Sequence, residues 1–375
     1  MPPVRAPLLR IPYTSPLPAP TIIPSSAGTA SGAIAALAEF LRRSERVLSR
    51  HGQDGRTLLL TGAGISVASG LADYRGTKGT YTLNKTYRPI YYNEFCENHE
   101  MRKRYWARSF LGWTNMLRAR PNAGHEAVAK LGELGIVRSV ITQNVDSFHP
   151  QAHPSLPTIE LHGYLRTLTC LTCKSDYSRN DFQTDLARLN PAWATFLQAV
   201  LATGALDTEN PDERRKRGLK SNPDGDVDIP GVPYTTFRYP ACPTCLQKGE
   251  HGVGVDTDGG WKEGSTGGVL KPSVVMFGES IPSERKNAAE QAVNDAERIL
   301  VIGSSLATYS AWRLVKHAKE LKKPIGILNI GGVRGEDTFF ADVQEGNTGR
   351  KAVRCSESAD VVLPDVVRML EGTKR

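Results

Sequence analysis

Nowhere in its 375 residues does this chain stay apolar for the roughly 18–20 positions that a membrane-spanning helix needs, so it reads as soluble. It has only six cysteines and nothing resembling a secretory signal, which argues against a disulfide framework. Acidic residues are missing altogether from residues 1–38, where Arg5, Arg10 and several Ser and Thr occur. Such a composition suits import into mitochondria, although the prolines spread between Pro2 and Pro24 work against a long amphipathic helix. We expect residues 1–30 to be a disordered tail acting as a mitochondrial transit segment; a tail without an address is the competing reading. A strong charge bias is also lacking. The net charge of +8 is modest for this length, and part of it sits in the run Arg214, Arg215, Lys216, Arg217 and Lys220. No aromatics interleave with that run, so it reads as a solvated loop and not as a nucleic-acid site. No internal repeat is visible.

What is present is the composition of a globular enzyme, 39% hydrophobic and 23% charged, on a chain long enough for one large domain and a smaller one. Residues 31–50 carry a helical stripe behind Ser31 as N-cap. Short apolar runs at 56–61, 136–142, 298–303, 324–330 and 359–363 read as buried strands. Helical patterns at 121–134, 283–296 and 310–321 lie between them. Alternating strands and helices indicate an α/β fold with a doubly wound, mostly parallel sheet. The alternation fails from about Cys170 to Gly268, a stretch rich in Pro, Gly and charge that reads as a small insertion domain stapled by metal. Within it, 249–268 is nearly all glycine and polar residues and is expected to be a mobile loop.

Five clusters carry chemistry. Thr61-Gly62-Ala63-Gly64-Ile65-Ser66 follows the first strand, where glycines let backbone N–H groups approach a pyrophosphate. The usual dinucleotide fingerprint wants a third glycine where Val67 stands, and an acid for the ribose that residues 81–93 do not supply. A hydride-transferring oxidoreductase is therefore disfavoured. Asp73, Tyr74 and Arg75 lie in a glycine-bounded loop just beyond, suited to closing over a ligand or to forming a salt-bridged turn. Gln143, Asn144, Val145 and Asp146 stand at the C-terminal end of a strand, where open α/β sheets bind ligands; Asp146 could equally be a helix N-cap. Among eight histidines, His162 stands out because it follows a strand-like run and precedes a cysteine pair, and imidazole is the natural base at neutral pH. Finally, Cys170 with Cys173 and Cys242 with Cys245 form two Cys-x-x-Cys pairs, the full thiolate set of one structural zinc ion. Their wide separation keeps two unrelated redox or buried pairs as the alternative.

Taken in order, these clusters resemble the sirtuins. Leu270-Lys271-Pro272-Ser273-Val274-Val275-Met276-Phe277-Gly278-Glu279 is similar to that family's peptide-binding segment. Gly303-Ser304-Ser305-Leu306 and Asn329-Ile330-Gly331 are similar to its two adenosine-side loops. The likeness spans about residues 35–370. Arg104-Tyr105-Trp106-Ala107-Arg108, Trp193, Pro223-Asp224-Gly225-Asp226-Val227 and Tyr309-Ser310 resemble class II, the mitochondrial sirtuin 4 type.

The resemblance implies a Rossmann-like NAD-binding domain over 31–165 and 269–375, with a small zinc-binding domain over 166–268. It implies NAD as co-substrate and acylated protein lysines as substrates, with no nucleic-acid or membrane partner and a monomeric state. The place would be the mitochondrial matrix, with cytoplasm or nucleus as alternatives. The cofactor contacts carried over are Gly62, Ala63, Gly64, Ile65, Asp73, Tyr74, Arg75, Gln143, Asn144, Val145, Asp146, Gly303, Ser304, Ser305, Asn329, Ile330 and Gly331, with Cys355 against the adenine. Val275, Met276, Phe277, Gly278 and Glu279 would hold the peptide, and His162 would be the general base on a ribose hydroxyl. The activity implied is NAD-dependent lysine deacylation. Mono-ADP-ribosyl transfer is the alternative, and a non-catalytic zinc- and NAD-binding module a remote one. The sequence departs from the family at Ala72, where a proline is usual, and at Pro150 and His153; His153 is expected to be an exposed helix-end residue.

Overall fold

The computed structural model describes residues 13, 16–42, 57–83, 87–202, 220–221, 227–229, 232–344 and 348–372. Its strands are β1 (Thr57–Thr61), β2 (Val137–Thr142), β3 (Thr158–Glu160), β4 (Gly163–Cys170), β5 (Asp176–Ser178), β6 (Lys220–Ser221), β7 (Val227–Asp228), β8 (Leu270–Val274), β9 (Arg298–Ile302), β10 (Ile325–Leu328) and β11 (Ala352–Cys355). Six of them form one sheet in the order β3-β2-β1-β9-β10-β11, every neighbouring pair parallel. The chain runs outward from β1 to β3, then restarts beside β1 at β9 and runs outward the other way. The order therefore reverses between β1 and β9, the switch point of a doubly wound sheet.

All five residues of β1 are buried. Side chains alternate across a strand, so Leu59 enters a core with the helices Ala30–Leu41, Ala123–Glu133 and Ala359–Gly372. Leu58 and Leu60 enter the opposite core, under the helices Ser283–Asp295 and Tyr309–Glu320. Each such leucine contributes roughly 1.5–3 kcal/mol by burial. Cover on both faces explains why the strand reads as an unbroken apolar run.

Several expectations need correction. Residues 359–363 are not a strand but the start of the helix Ala359–Gly372, whose buried residues Ala359, Val362, Leu363, Val366, Val367 and Leu370 recur with helical period. A five-residue window is too short to reveal that period, and the sheet edge is β11 instead. The first helix ends at Leu41; residues 43–56, with the remainder of the expected helix and Arg56, lie outside the described residues. Residues 16–29 are not a loose tail: Ala27 is buried, and Ile23 pairs with Arg354 of β11. Residues 1–12, 14 and 15 lie outside the described residues, as do the basic residues Arg214, Arg215, Lys216 and Arg217 and the segment 222–226.

A second sheet, β5-β4-β8, is antiparallel. Its core gathers Phe182, Leu186, Phe237 and Trp261 with Trp106 and Phe110 from the long helix His99–Arg118. The expected boundaries at 165/166 and 268/269 thus cut through packed elements, because that helix and β8 share the small core. Residues 249–268 are not a free loop either. Trp261 is buried, its N–H donates to Tyr239 O (2.7 Å), its indole Nε1 donates to Gly267 O (2.9 Å), and Gly268 O accepts from Cys242 N (2.8 Å). One apolar indole holds the glycine-rich arch against the small core. No described helix is long and apolar enough to cross a membrane.

Candidate active site

The loops after β1 and β9 meet at the switch point. Gly62 N donates to Ile302 O (3.0 Å) and Gly64 N to Gly303 O (2.8 Å). A Cβ on Gly62 would lie 2.8 Å from Gly303 O, and one on Gly64 would lie 2.7 Å from Gly303 Cα. Gly303 itself has φ +60, where L side chains are disfavoured, and a Cβ there would be 2.4 Å from Ile65 N. Three glycines back to back bring two backbone turns closer than any side chain allows. Asn122 braces this turn from the N-cap of the helix Ala123–Glu133, its Nδ2 donating to Ile65 O and Ser69 Oγ (both 2.8 Å).

The segment after β2 enters the same crevice. Asn144 Nδ2 donates to Gly62 O and to Ser66 Oγ (both 3.1 Å), and Ser66 in turn donates to Asp146 Oδ2 (2.7 Å). Asp146 Oδ1 accepts from Phe148 N (3.0 Å), the first residue of the helix Phe148–Ala152, although the N-cap itself is Ser147 and not Asp146. Burial raises the Asp146 pKa above the usual carboxylate range. Gln143 bridges to the β9 side, with Nε2 donating to Ser304 Oγ (2.7 Å) and Oε1 accepting from Thr308 Oγ1 (2.8 Å).

His162 lies between β3 and β4. Its Nδ1 is 3.1 Å from Gln143 O and its Nε2 is 2.8 Å from Ser310 Oγ. A carbonyl oxygen only accepts, so Nδ1 carries the proton and Nε2 presents its lone pair to the hydroxyl. Burial lowers the pKa of this imidazole to about 4, so it is neutral at physiological pH. A neutral ring with a fixed tautomer is the state a general base needs. The backbone O of His162 accepts from Val275 N (2.7 Å), tying the ring to the segment of Val275, Met276, Phe277, Gly278 and Glu279. That segment is braced by Lys271, whose Nζ donates to Val274 O (2.6 Å) and Glu279 Oε2 (3.0 Å), while Glu279 Oε2 also accepts from Met276 N (2.9 Å).

Other expected contacts are placed differently. Asp73 turns back on its own loop and accepts from Gly76 N (3.0 Å), Tyr74 stacks on Tyr81, and Arg75 donates to Tyr13 O (2.7 Å). The loop still borders the crevice, since Leu71 and Val145 pack on one cluster with Leu165. The Cys355 thiol is fully buried in the main core beside Leu328 and Val353, where burial pushes its pKa up to about 12. It has no surface to offer an adenine; its carbonyl accepts from Asn329 N (3.1 Å) instead. His153 is buried, contrary to expectation, and its Nε2 meets His149 Nδ1 (2.8 Å). Sequence reasoning assigned no site role to Asn122 or Thr308, and it quoted Ser66 and Ser310 within motifs without counting them among the site residues.

The four cysteines converge. All Sγ atoms lie within 4.8 Å of one another, with 3.6 Å between Cys170 and Cys245 and 3.7 Å between Cys173 and Cys242. A tetrahedron of thiolates about 2.3 Å from zinc has edges of about 3.8 Å, whereas a disulfide would bring two sulfurs to about 2.05 Å. Among the described residues, the sequence gap between the pairs includes the helices Arg179–Leu189 and Pro191–Ala202. The thiols fit one structural zinc ion with no open position.

Comparison with known proteins places these features. The Sir2 family model matches residues 62–310. The chain is 40% identical over 314 residues to an NAD-dependent protein deacylase, SIR4, of Batrachochytrium dendrobatidis, covering 83% of this chain and 89% of the relative. It is 37% identical over 287 residues to the NAD-dependent protein deacylase Sirt4 of Drosophila melanogaster, covering 76% and 78%. Among solved structures, a Sir2 homolog in complex with NAD has a similar fold, with a TM-score of 0.55 at 21% identity over 91% of this chain and 95% of that one.

Proposed function

The chain belongs to the Sir2 family, and on that premise we propose that it is an NAD-dependent protein lysine deacylase with His162 as its general base. The carrying observation is the His162 ring: neutral, with its tautomer set by Gln143 O and its lone pair on Ser310 Oγ, next to the Gln143 side chain that reaches Ser304. NAD, when bound, supplies the bond between nicotinamide and ribose and the ADP-ribose that takes up the acyl group. The glycine turns of Gly62, Gly64 and Gly303 would receive its phosphates, and Gln143, Asn144 and Asp146, bonded into the same turns, would hold the nicotinamide end. Ser310 occupies the His162 Nε2 lone pair and must yield it for the ring to take a proton from a ribose hydroxyl. The backbone of Val275, held by His162 O, supports an extended acyl-lysine peptide lying beside the base. Zinc would fold the small domain without taking part in the reaction.

The acid-free residues 1–38 and the likeness to the Sirt4-named relative support a mitochondrial location. The test is a panel of acyl-lysine peptides incubated with NAD and read by mass spectrometry. Wild-type protein should release nicotinamide and free lysine. His162→Ala should lose turnover by about 10²–10⁴-fold while binding ADP-ribose as wild type does. Undiminished acyl removal by that variant would refute the assigned base, and ADP-ribose gained on a protein without acyl loss would favour the transferase reading.

A further inference from the structure

The segment ahead of the first helix reaches three loops of the nucleotide crevice. Arg354, in the edge strand β11, has a side chain with no exposed surface. Its Nε donates to Glu336 Oε1 (2.9 Å), Nη1 to Asn329 O (2.7 Å) and Cys355 O (2.6 Å), and Nη2 to Gly331 O (2.7 Å). A planar guanidinium fixes its donors in a rigid fork, so one side chain sets the spacing of the carbonyls on either side of Ile330. The N-terminal segment closes over this hub. Thr21 N donates to the same Glu336 Oε1 (2.8 Å), and Ile23 exchanges two backbone hydrogen bonds with Arg354 (3.1 and 2.7 Å). Pro18 O approaches Gly332 so closely that a Cβ there would lie 1.8 Å away. Further out, Tyr13 O accepts from Arg75 Nη2 (2.7 Å), and its ring lies 4.7 Å from the guanidinium of Arg334, a residue whose backbone N–H donates to Ser305 O (2.9 Å).

We propose that Tyr13 and residues 16–24 form a strap that holds the adenosine-side loops in their binding shape, with Arg354 as the positioning residue that transmits it. This rests on the reading above that these loops hold NAD. A strap serving only to cover the edge of the sheet would need the backbone pairing of Ile23. It would not need a buried carboxylate shared between a strap N–H and the side chain that grips both loop carbonyls. Glu336 and Arg354 are 1% and 0% exposed, and burying such a pair is costly unless its geometry is used.

The test uses the full chain and compares Arg354→Lys, Thr21→Pro and deletions of residues 1–12 and 1–24. Arg354→Lys keeps the charge beside Glu336 but loses the fork; Thr21→Pro removes one N–H. Calorimetric titration with ADP-ribose should weaken by about tenfold for Arg354→Lys and for the deletion of 1–24, as expected for one lost charge-assisted hydrogen bond. Thr21→Pro should weaken it less, and deletion of 1–12 not at all. KM for NAD should rise in parallel while kcat and the peptide KM stay within about twofold. If deletion of 1–24 prevents folding, Arg354→Lys and Thr21→Pro in the full chain decide. ADP-ribose affinity equal to wild type in those two variants would overturn the proposal, as would an equal loss in both substrates' KM. Failure of wild-type protein to bind ADP-ribose would remove the reading of the site itself, a distinct result.

Discussion

Lowering the pH from 7 to 5 offers protons to three histidines packed behind the nucleotide loop with no space for charge. His125, His149 and His153 lie within 5.0 Å of their neighbours by ring centroid, and His149 Nε2 is engaged by Thr61 Oγ1 (2.8 Å) at the end of β1. His125 and His149 have no exposed surface. Burial lowers the His125 pKa to about 4 and holds that of His149 well below its ordinary value; nearby histidines lower both further. The sign follows from which state takes the proton first. Unfolded histidine binds it near pH 6.5, whereas these two stay neutral in the folded state until far lower pH. Stability is therefore complete above pH 6.5 and is lost as pH falls towards 4. For each histidine that remains neutral across the window, the loss between pH 7 and 5 is about 2 kcal/mol, or about 4 kcal/mol for the two. Buried Asp146, whose pKa is raised, acts with the opposite sign and recovers part of this. Against a total stability of about 5–15 kcal/mol, the deficit is measurable by urea unfolding at the two pH values. Acid also loosens thiolate–metal bonds, so the decisive comparison is His125→Gln with zinc content monitored. Glutamine can still accept from Asn122 N but cannot charge, and about 2 kcal/mol of the acid-induced loss should vanish. An unchanged pH dependence in His125→Gln would refute the reasoning.

Two further outcomes follow from the geometry. Cys242→Ala should abolish stoichiometric zinc by elemental analysis and unfold the small sheet β5-β4-β8, since a structural zinc site contributes on the order of 10 kcal/mol; a metal-free variant with an unchanged melting curve would contradict the assignment. Gly303→Ala should lower the melting temperature and weaken ADP-ribose binding by more than about tenfold, because left-handed strain of about 1–2 kcal/mol is joined by collision with Ile65 N. Gly249→Ala, with a similar φ of +63 but nothing within 4 Å, isolates the strain and should leave ADP-ribose binding intact.

Much of the site was legible because its chemistry is local. Gly62, Gly64, Gln143, Asn144 and Asp146 stand directly after strands whose apolar runs mark them, and parallel strands must deliver their C-terminal ends to one edge. Where the reading failed, the missing information was non-local. His153 looks exposed at a short helix's end until His149, itself bonded to Thr61, is packed beside it. Cys355 looks like a ligand contact until β11 turns its thiol into the core. The arch at 249–268 looks mobile because glycine dominates its composition, yet buried Trp261 and the bond from Cys242 N to Gly268 O dock it.

The amino-acid order by itself therefore pointed to the doubly wound sheet, the glycine turn, the candidacy of His162 and the two Cys-x-x-Cys pairs. Each strand, turn and cysteine pair is marked by periodicity or residue chemistry within a few positions. Only the tertiary structure decided the tautomer of His162, the serines that orient the crevice and the grip of Arg354 on both adenosine-side carbonyls. Those depend on partners 19 to 161 positions away along the chain, and no short-range pattern encodes which distant hydroxyl or carbonyl will arrive.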